Sequence, residues 1–219
     1  MSGHAYGPNS AEVAAAVCQV DEALGSLLDQ IHANDLNNVV NVLVVSDHGM
    51  TMTDDERVIY LDDYVNSSDY TSATYASEGA FAPVFQLFTE PSKKERVYSH
   101  LQDAHAHLKV DYREDLETRL HYSSHRRIGD IVGIADEGWV VAQNKQVNSV
   151  CCGLHGYDNL LESMRPIFLA AGPSFIHDDE VIPPVRNVDL YELICNILDL
   201  TPSTNNGTML VLQDYLLRS

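Results

Sequence analysis

Positive charge is what this sequence has least of. Lys and Arg number 13 against 32 Asp and Glu in 219 residues, a formal net charge of −19 with His neutral. Such a surface repels polyanions, which excludes a nucleic-acid-polymer binder whose affinity rests on phosphate contacts. A small anionic substrate stays open if a metal supplies local positive charge. Cysteine is scarce too, with only Cys18, Cys151, Cys152 and Cys195. No CxxC spacing occurs, so a zinc knuckle is excluded. Adjacent Cys151 and Cys152 are poorly placed for a simple bridge, so no disulfide framework is read. The redox compartment stays undecided from cysteine alone. No apolar run is long enough to span a bilayer. The opening MSGHAYGPNS is polar and glycine-rich, and the expectation is that no signal peptide precedes the fold. Repeats, low-complexity tracts and linkers are absent as well.

What is present is the composition of a globular chain, 45% hydrophobic and 21% charged, long enough for one domain with a sizeable core. Ser10 to Ala33 reads as an amphipathic helix, with Val13, Val17, Val20, Leu24, Leu27, Leu28 and Ile31 at helical spacing. Val39 to Val45 is a continuous β-branched run, as expected of a strand covered on both faces. Shorter strands are predicted over 57–61, 83–89 and 109–113, with a helix over 92–108. Ile131 to Ala135 and Trp139 to Ala142 flank the hairpin-like turn "DEG". PIFLAA, 166–171, reads as the last core strand, and 187–198 as a helix. Strands alternating with helices predict an α/β fold with a mostly parallel sheet flanked by helices. In such sheets ligand-binding residues collect at the carboxyl ends of strands.

The run 39–45 ends on Asp47, His48 and Gly49, where that rule looks for a site. Asp and neutral His are both good zinc ligands. Past a strand end the chain turns, Gly49 eases the turn, and neighbouring side chains can converge on one ion. The plainer alternative is equally open: Asp47 caps a loop and His48 is a polar strand-end residue. His4 in SGHAYGP and His155 in GLHGYDN also stand beside glycines. The other seven histidines, His32, His100, His105, His107, His121, His125 and His177, lack that setting and read as surface or helix positions. His105 and His107, two apart, would not face each other on a helix. Sequons at Asn66 (NSS) and Asn206 (NGT) are candidate glycosylation sites and hint only weakly at secretion.

Taken in order, SGHAYGP, VVSDHGMT and GLHGYDN followed by MRPIFLAAGPSF resemble the phosphodiesterase domain of the nucleotide pyrophosphatase/phosphodiesterase family, within the alkaline phosphatase superfamily. ADEGW, NVDLYELICNILDL and NNGT continue the resemblance, so the family motifs cover about residues 2–208. The resemblance implies a single but partial domain over 1–219, the C-terminal portion of an alkaline-phosphatase-like fold. It implies two zinc ions, one bound by His4 and His155, the other by Asp47 and His48. Tyr157, Asp158 and Asn159 would support the orientation of His155, or only build its turn. It implies hydrolysis of phosphodiester or pyrophosphate bonds in nucleotides or lyso-lipid phosphodiesters, in an extracellular or cell-surface setting. The family's threonine nucleophile falls upstream of Met1 in register, and Thr51 and Thr53 do not sit in its motif. A ligand carboxylate, four residues before the match to His4, is also expected upstream. Catalytic zinc commonly has three protein ligands, and two per metal remain here. The expectation is therefore a chain that alone binds zinc weakly and hydrolyses little. The competing reading is a non-catalytic module that keeps the half-fold.

Overall fold

β-Branched residues favour the extended, pleated backbone, and the run at 39–45 forms a strand over Val42–Val45, though not one covered on both faces, since Val45 is more than half exposed. The computed structural model describes residues 1–72, 80–146, 149–176 and 181–217; His177 lies outside them. The chain opens with the short helix α1 (Ser2–Tyr6) and the long α2 (Ala11–Ala33). Ser10 caps α2 as expected, its hydroxyl accepting the Val13 N–H at 3.2 Å. Strands β1 (Val42–Val45), β2 (Thr51–Met52) and β3 (Val58–Tyr60) follow. Then come β4 (Thr71–Ser72), β5 (Phe81–Ala82) and β6 (Val84–Phe88). Helix α3 (Pro91–Leu101) starts on a proline, which needs no N–H partner in the first turn. After it run β7 (Leu108–Tyr112), β8 (Ile131–Ala135), β9 (Val140–Ala142), β10 (Gly153–Leu154), β11 (Phe168–Ala171) and α4 (Asp189–Ile197). Helix α3 stops short of the predicted 108, so His105 and His107 lie in the turns after it. Among the described residues no helix is long and apolar enough to cross a membrane.

The chain divides into two compact units. The first comprises Met1–Val20 and Asp47–Pro166. Its four-stranded sheet has the order β4-β6-β8-β7, and a second sheet the order β3-β9-β5. Phe85, Leu87 and Ile131 are fully buried and pack with Ile59, Leu61 and Val141. Helix α3 covers this core with Val97 and Leu101, four residues apart and so on one face. Burying a side chain of that kind contributes about 1.5–3 kcal/mol. The second unit comprises Asp21–Ser46 and Ile167–Ser219. There β1 pairs with β11, from Val42↔Ala171 to Val45↔Phe168. Leu193 of α4 packs with Phe175 and Leu212.

The expectation of a mostly parallel sheet is overturned. β1–β11, β2–β10, β4–β6, β6–β8, β7–β8 and β5–β9 all pair antiparallel, and only β3–β9 among the described pairs is parallel. The strand–helix–strand rhythm misleads for a definite reason. β6 and β7, joined through α3, do run in the same direction, but β8 lies between them and pairs antiparallel with both. The rhythm fixes strand direction; a later strand inserted between the two changes the neighbour. The "DEG" turn forms, with the Trp139 N–H donating to Asp136 O at 2.9 Å. Its flanking strands then part into different sheets, so it closes no hairpin.

Candidate metal centre

Three short segments of the first unit build the site. After β1 the chain passes Ser46 and reaches Asp47 and His48, and two residues beyond Gly49 it enters β2. β2 pairs with β10 in the register Thr51↔Leu154 and Met52↔Gly153. Antiparallel pairing then carries the residue after Leu154, His155, back towards the corner that holds His48. The two imidazoles stack with ring centroids 3.4 Å apart and planes at 17°. The corner needs Gly49, because any Cβ there would overlap the Ser163 carbonyl oxygen. Its N–H donates to Met164 O at 2.9 Å.

His4 arrives from the other side of β10. Gly3 and Gly153 let α1 and β10 approach so closely that a Cβ on Gly153 would overlap Gly3 O and lie 2.8 Å from Met50 Sδ. That approach sets His4 Nδ1 2.8 Å from Gly153 O. The contact assigns the proton to Nδ1 and leaves Nε2 as the free lone pair of a neutral ring. The His4 and His155 rings stand 5.2 Å apart, tilted by 54°. Three of the four predicted ligands are thus imidazoles gathered in one patch, with the exposed Asp47 beside them.

Asp47 Oδ2 lies 3.2 Å from His48 Nε2, and Asp47 Oδ1 accepts the His48 backbone N–H at 3.0 Å. His48 Nδ1 is 2.7 Å from Gly49 O. Both ring nitrogens of His48 therefore face oxygen acceptors. Two donors at 2.0–2.2 Å from one tetrahedral ion sit about 3.4 Å apart, close to the separation found here. Burial, and then the neighbouring His48 and His4, hold His155 below its ordinary value, while Asp47 opposes. A neutral His155 keeps a lone pair for a metal. Among the described residues, no group of three or more His, Cys, Asp or Glu is spaced to hold one metal ion. Imidazole nitrogen and carboxylate oxygen are donors of the kind that zinc accepts.

Tyr157 is buried, and its hydroxyl donates to Trp139 O at 2.9 Å. Burial pushes the phenol up, so it stays a donor. Asp158 and Asn159 both accept from Arg119. None of the three touches the His155 ring in these contacts; they hold its loop. Arg119, Trp139 and the Gly3–Gly153 contact were not singled out in the sequence. For the histidines the flanking glycine was a weak signal alone, and the family resemblance of the three segments named the set. Cys151 Sγ donates to Gly153 O at 3.0 Å and lies 4.0 Å from His4 Nδ1. Burial pushes this thiol up, which keeps it protonated. Thr53 is buried and its hydroxyl donates to Cys151 O, so it is not poised as a nucleophile. The four cysteines are free, with Cys195 buried and Cys18 and Cys152 exposed. Both sequon asparagines, Asn66 and Asn206, are exposed.

Comparison with known proteins adds an independent line. A profile of the family described as type I phosphodiesterase / nucleotide pyrophosphatase matches residues 1–158. The human ectonucleotide pyrophosphatase/phosphodiesterase family member 5 is 37% identical over 214 residues, 98% of this chain and 43% of its own length. Bovine bis(5'-adenosyl)-triphosphatase ENPP4 is 39% identical over 208 residues, 94% of this chain and 44% of its own length. Among solved structures, human ectonucleotide pyrophosphatase/phosphodiesterase 5 superposes with a TM-score of 0.88 at 37% identity, covering 98% of this chain and 55% of that one. An inactive murine form of the same protein, in complex with AMP, gives 0.88 at 38% identity, covering 99% of this chain and 56% of that one. The chain spans about half the length of the relatives it matches.

Proposed function

This chain belongs to the type I phosphodiesterase / nucleotide pyrophosphatase family, and from that premise we propose that His4, Asp47, His48 and His155 form the metal centre of a hydrolase. The bonds cleaved are phosphodiesters or pyrophosphates of nucleotides, with lyso-lipid phosphodiesters as the other substrate class. The observation that carries the reading is the meeting of His4, His48 and His155 from three separate segments. A surface with no such task has no reason to gather three imidazoles beside a carboxylate. His4 and His155 would hold one zinc ion, Asp47 and His48 the other. Bound there, zinc would supply Lewis acidity toward a phosphoryl oxygen. The chain's own residues do the rest of the preparation. Gly153 O orients His4, Gly49 O and Asp47 orient His48, and burial keeps His155 neutral. The net charge of −19 repels polyanions and leaves small substrates as the fitting class. The AMP held by the murine relative supports a nucleotide. An extracellular or cell-surface setting goes with this reading, and the exposed Asn66 and Asn206 support glycosylation there.

The second reading, a non-catalytic module that keeps the fold, is favoured by one observation: among the described residues no group of three or more His, Cys, Asp or Glu is spaced to hold one metal ion, whereas catalytic zinc usually has three protein ligands. Zinc titration of the chain, with hydrolysis of a nucleotide phosphodiester by the full-length protein followed in parallel, separates the two. The Asp47→Ala and His155→Ala variants should each lower zinc affinity at least about tenfold, as loss of a ligand costs no less than loss of a ligand's support. Unchanged affinity in both variants contradicts the metal assignment. Hydrolysis by the full-length protein that disappears in both variants supports the enzyme, and zinc binding with no turnover by the full-length protein supports the module.

A further inference from the structure

The loop that carries His155 is held at one end by the pairing of β10 with β2. Immediately after the histidine comes Gly156, at φ +96°, a backbone state that side-chain-bearing residues rarely adopt and that glycine leaves freely. The angle at which His155 meets His48 therefore depends on what holds the loop beyond Gly156. One anchor is the Tyr157 hydroxyl on Trp139 O. The other is Arg119, remote in sequence, from the turn of 3₁₀ helix Thr118–Leu120.

The Arg119 guanidinium engages the loop with both terminal nitrogens. Nη1 donates to Asp158 Oδ1 at 3.0 Å and to Asn159 Oδ1 at 3.1 Å, and Nη2 donates to Asp158 Oδ2. Asp158 Oδ1 also accepts the Leu160 N–H at 2.9 Å, which fixes the carboxylate plane that the fork meets. Arg119 Nε donates to Glu117 Oε2 at 2.7 Å, and Glu117 Oε1 accepts from Lys109 Nζ at 3.0 Å. Lys109 stands on β7, so the loop is tied through three successive ion pairs, Asp158–Arg119, Arg119–Glu117 and Glu117–Lys109, to the four-stranded sheet. The guanidinium holds the Asp158 carboxyl below the usual carboxylate range. The pair is about a third exposed on each side, and solvent screening keeps its share of global stability small. Its geometric effect is not screened in that way. A planar fork gripping two residues fixes a loop angle that an ammonium could not.

We propose that Arg119 is a positioning residue of the site, whose grip on Asp158 and Asn159 fixes the His155 imidazole against those of His48 and His4. The proposal rests on the metal-centre reading only for its consequence, since the grip itself is independent of any metal.

Ring nitrogen NMR of the histidines in the metal-free chain tests it directly, on Arg119→Ala and Arg119→Lys. Both variants should shift the His155 ring signals and weaken the His155–His48 contact. The thermal midpoint should stay within about 3 °C of the parent, the shift expected for a change under about 1 kcal/mol. Asp158→Asn should reproduce the effect, and combining it with Arg119→Ala should add little, as for two members of one interaction. Zinc affinity of the variants should fall about tenfold, the scale of losing a ligand's support. His155 signals unchanged in both Arg119 variants overturn the proposal. A His155→Ala chain that binds zinc like the parent sinks the metal reading instead, and the metal-free spectra still decide the role of Arg119.

Discussion

The two units of this chain are built to different standards. The main cluster of the first gathers thirteen buried residues from strands, turns and α3, while that of the second gathers Phe175, Leu193 and Leu212 around one helix and a strand pair. Among the described residues, β1 and β11 of the second unit have only each other as strand neighbours, and a two-stranded arrangement alone is marginal in water. Leu169 and Val45 on those strands stay more than half exposed. Helix α2, shared between the units, buries none of its residues, and Val17, Val20, Leu27 and Leu28 face solvent. The four candidate ligands all belong to the first unit. Precision of a site depends on the rigidity beneath it, and here the site stands on the better-packed unit.

Cutting each core in turn tests the comparison most severely. Phe85→Ala removes the largest fully buried side chain of the first unit and should cost about 3–5 kcal/mol. Zinc binding should be lost with it. Leu193→Ala, in the second unit, should cost about 2–5 kcal/mol by the same measure, yet leave zinc affinity unchanged. Denaturant unfolding with a parallel zinc titration reads both, and equal loss of binding in the two variants breaks the distinction.

A smaller effect sharpens it within the first unit. Gly153→Ala should cost about 1–3 kcal/mol by overpacking against Gly3 and Met50. It should also displace His4 and lower zinc affinity, while the distant core around Phe85 keeps its hydrogen-exchange protection. Retained zinc affinity would show that the Gly3–Gly153 contact does not set the position of His4.

The smallest effect is a pH dependence. Burial first, then His48 and His4, depress His155 below its ordinary value of 6.5. A folded pKa below the unfolded one means the unfolded chain takes up more protons as acid is added. The stabilising contribution is present above pH 6.5 and is lost as pH falls through the folded pKa. An NMR titration should find the His155 midpoint below 6.5, and a midpoint above it would reverse the sign.

The site was more legible in the sequence than the sheets were. The candidates His4, Asp47, His48 and His155 could be picked out because their three segments resemble a known family's motifs, the neighbouring glycines and strand end being weak signals alone, and such local motifs survive in one dimension. The α/β class and the positions of the longer elements were legible for the same reason, since periodicity is local; α1 and the two-residue strands β2, β4, β5 and β10 offered no period to read. Strand neighbours were not. Nothing between residues 84 and 135 announces that β8 slips between β6 and β7, nor does the run at 42–45 name its partner at 168–171. Those pairings are decided by long-range packing. Arg119 was invisible for a like reason: its partners Asp158 and Asn159 lie far along the chain, and an exposed arginine in a polar stretch carries no local mark.

The most direct test of the central claim is a zinc titration followed by the ring signals of all the histidines at once. The account expects His4, His48 and His155 to respond together, with saturation near two equivalents, while His32, His100 and His125 stay unmoved. A response confined to those other histidines, or none in His4, His48 and His155, would contradict it.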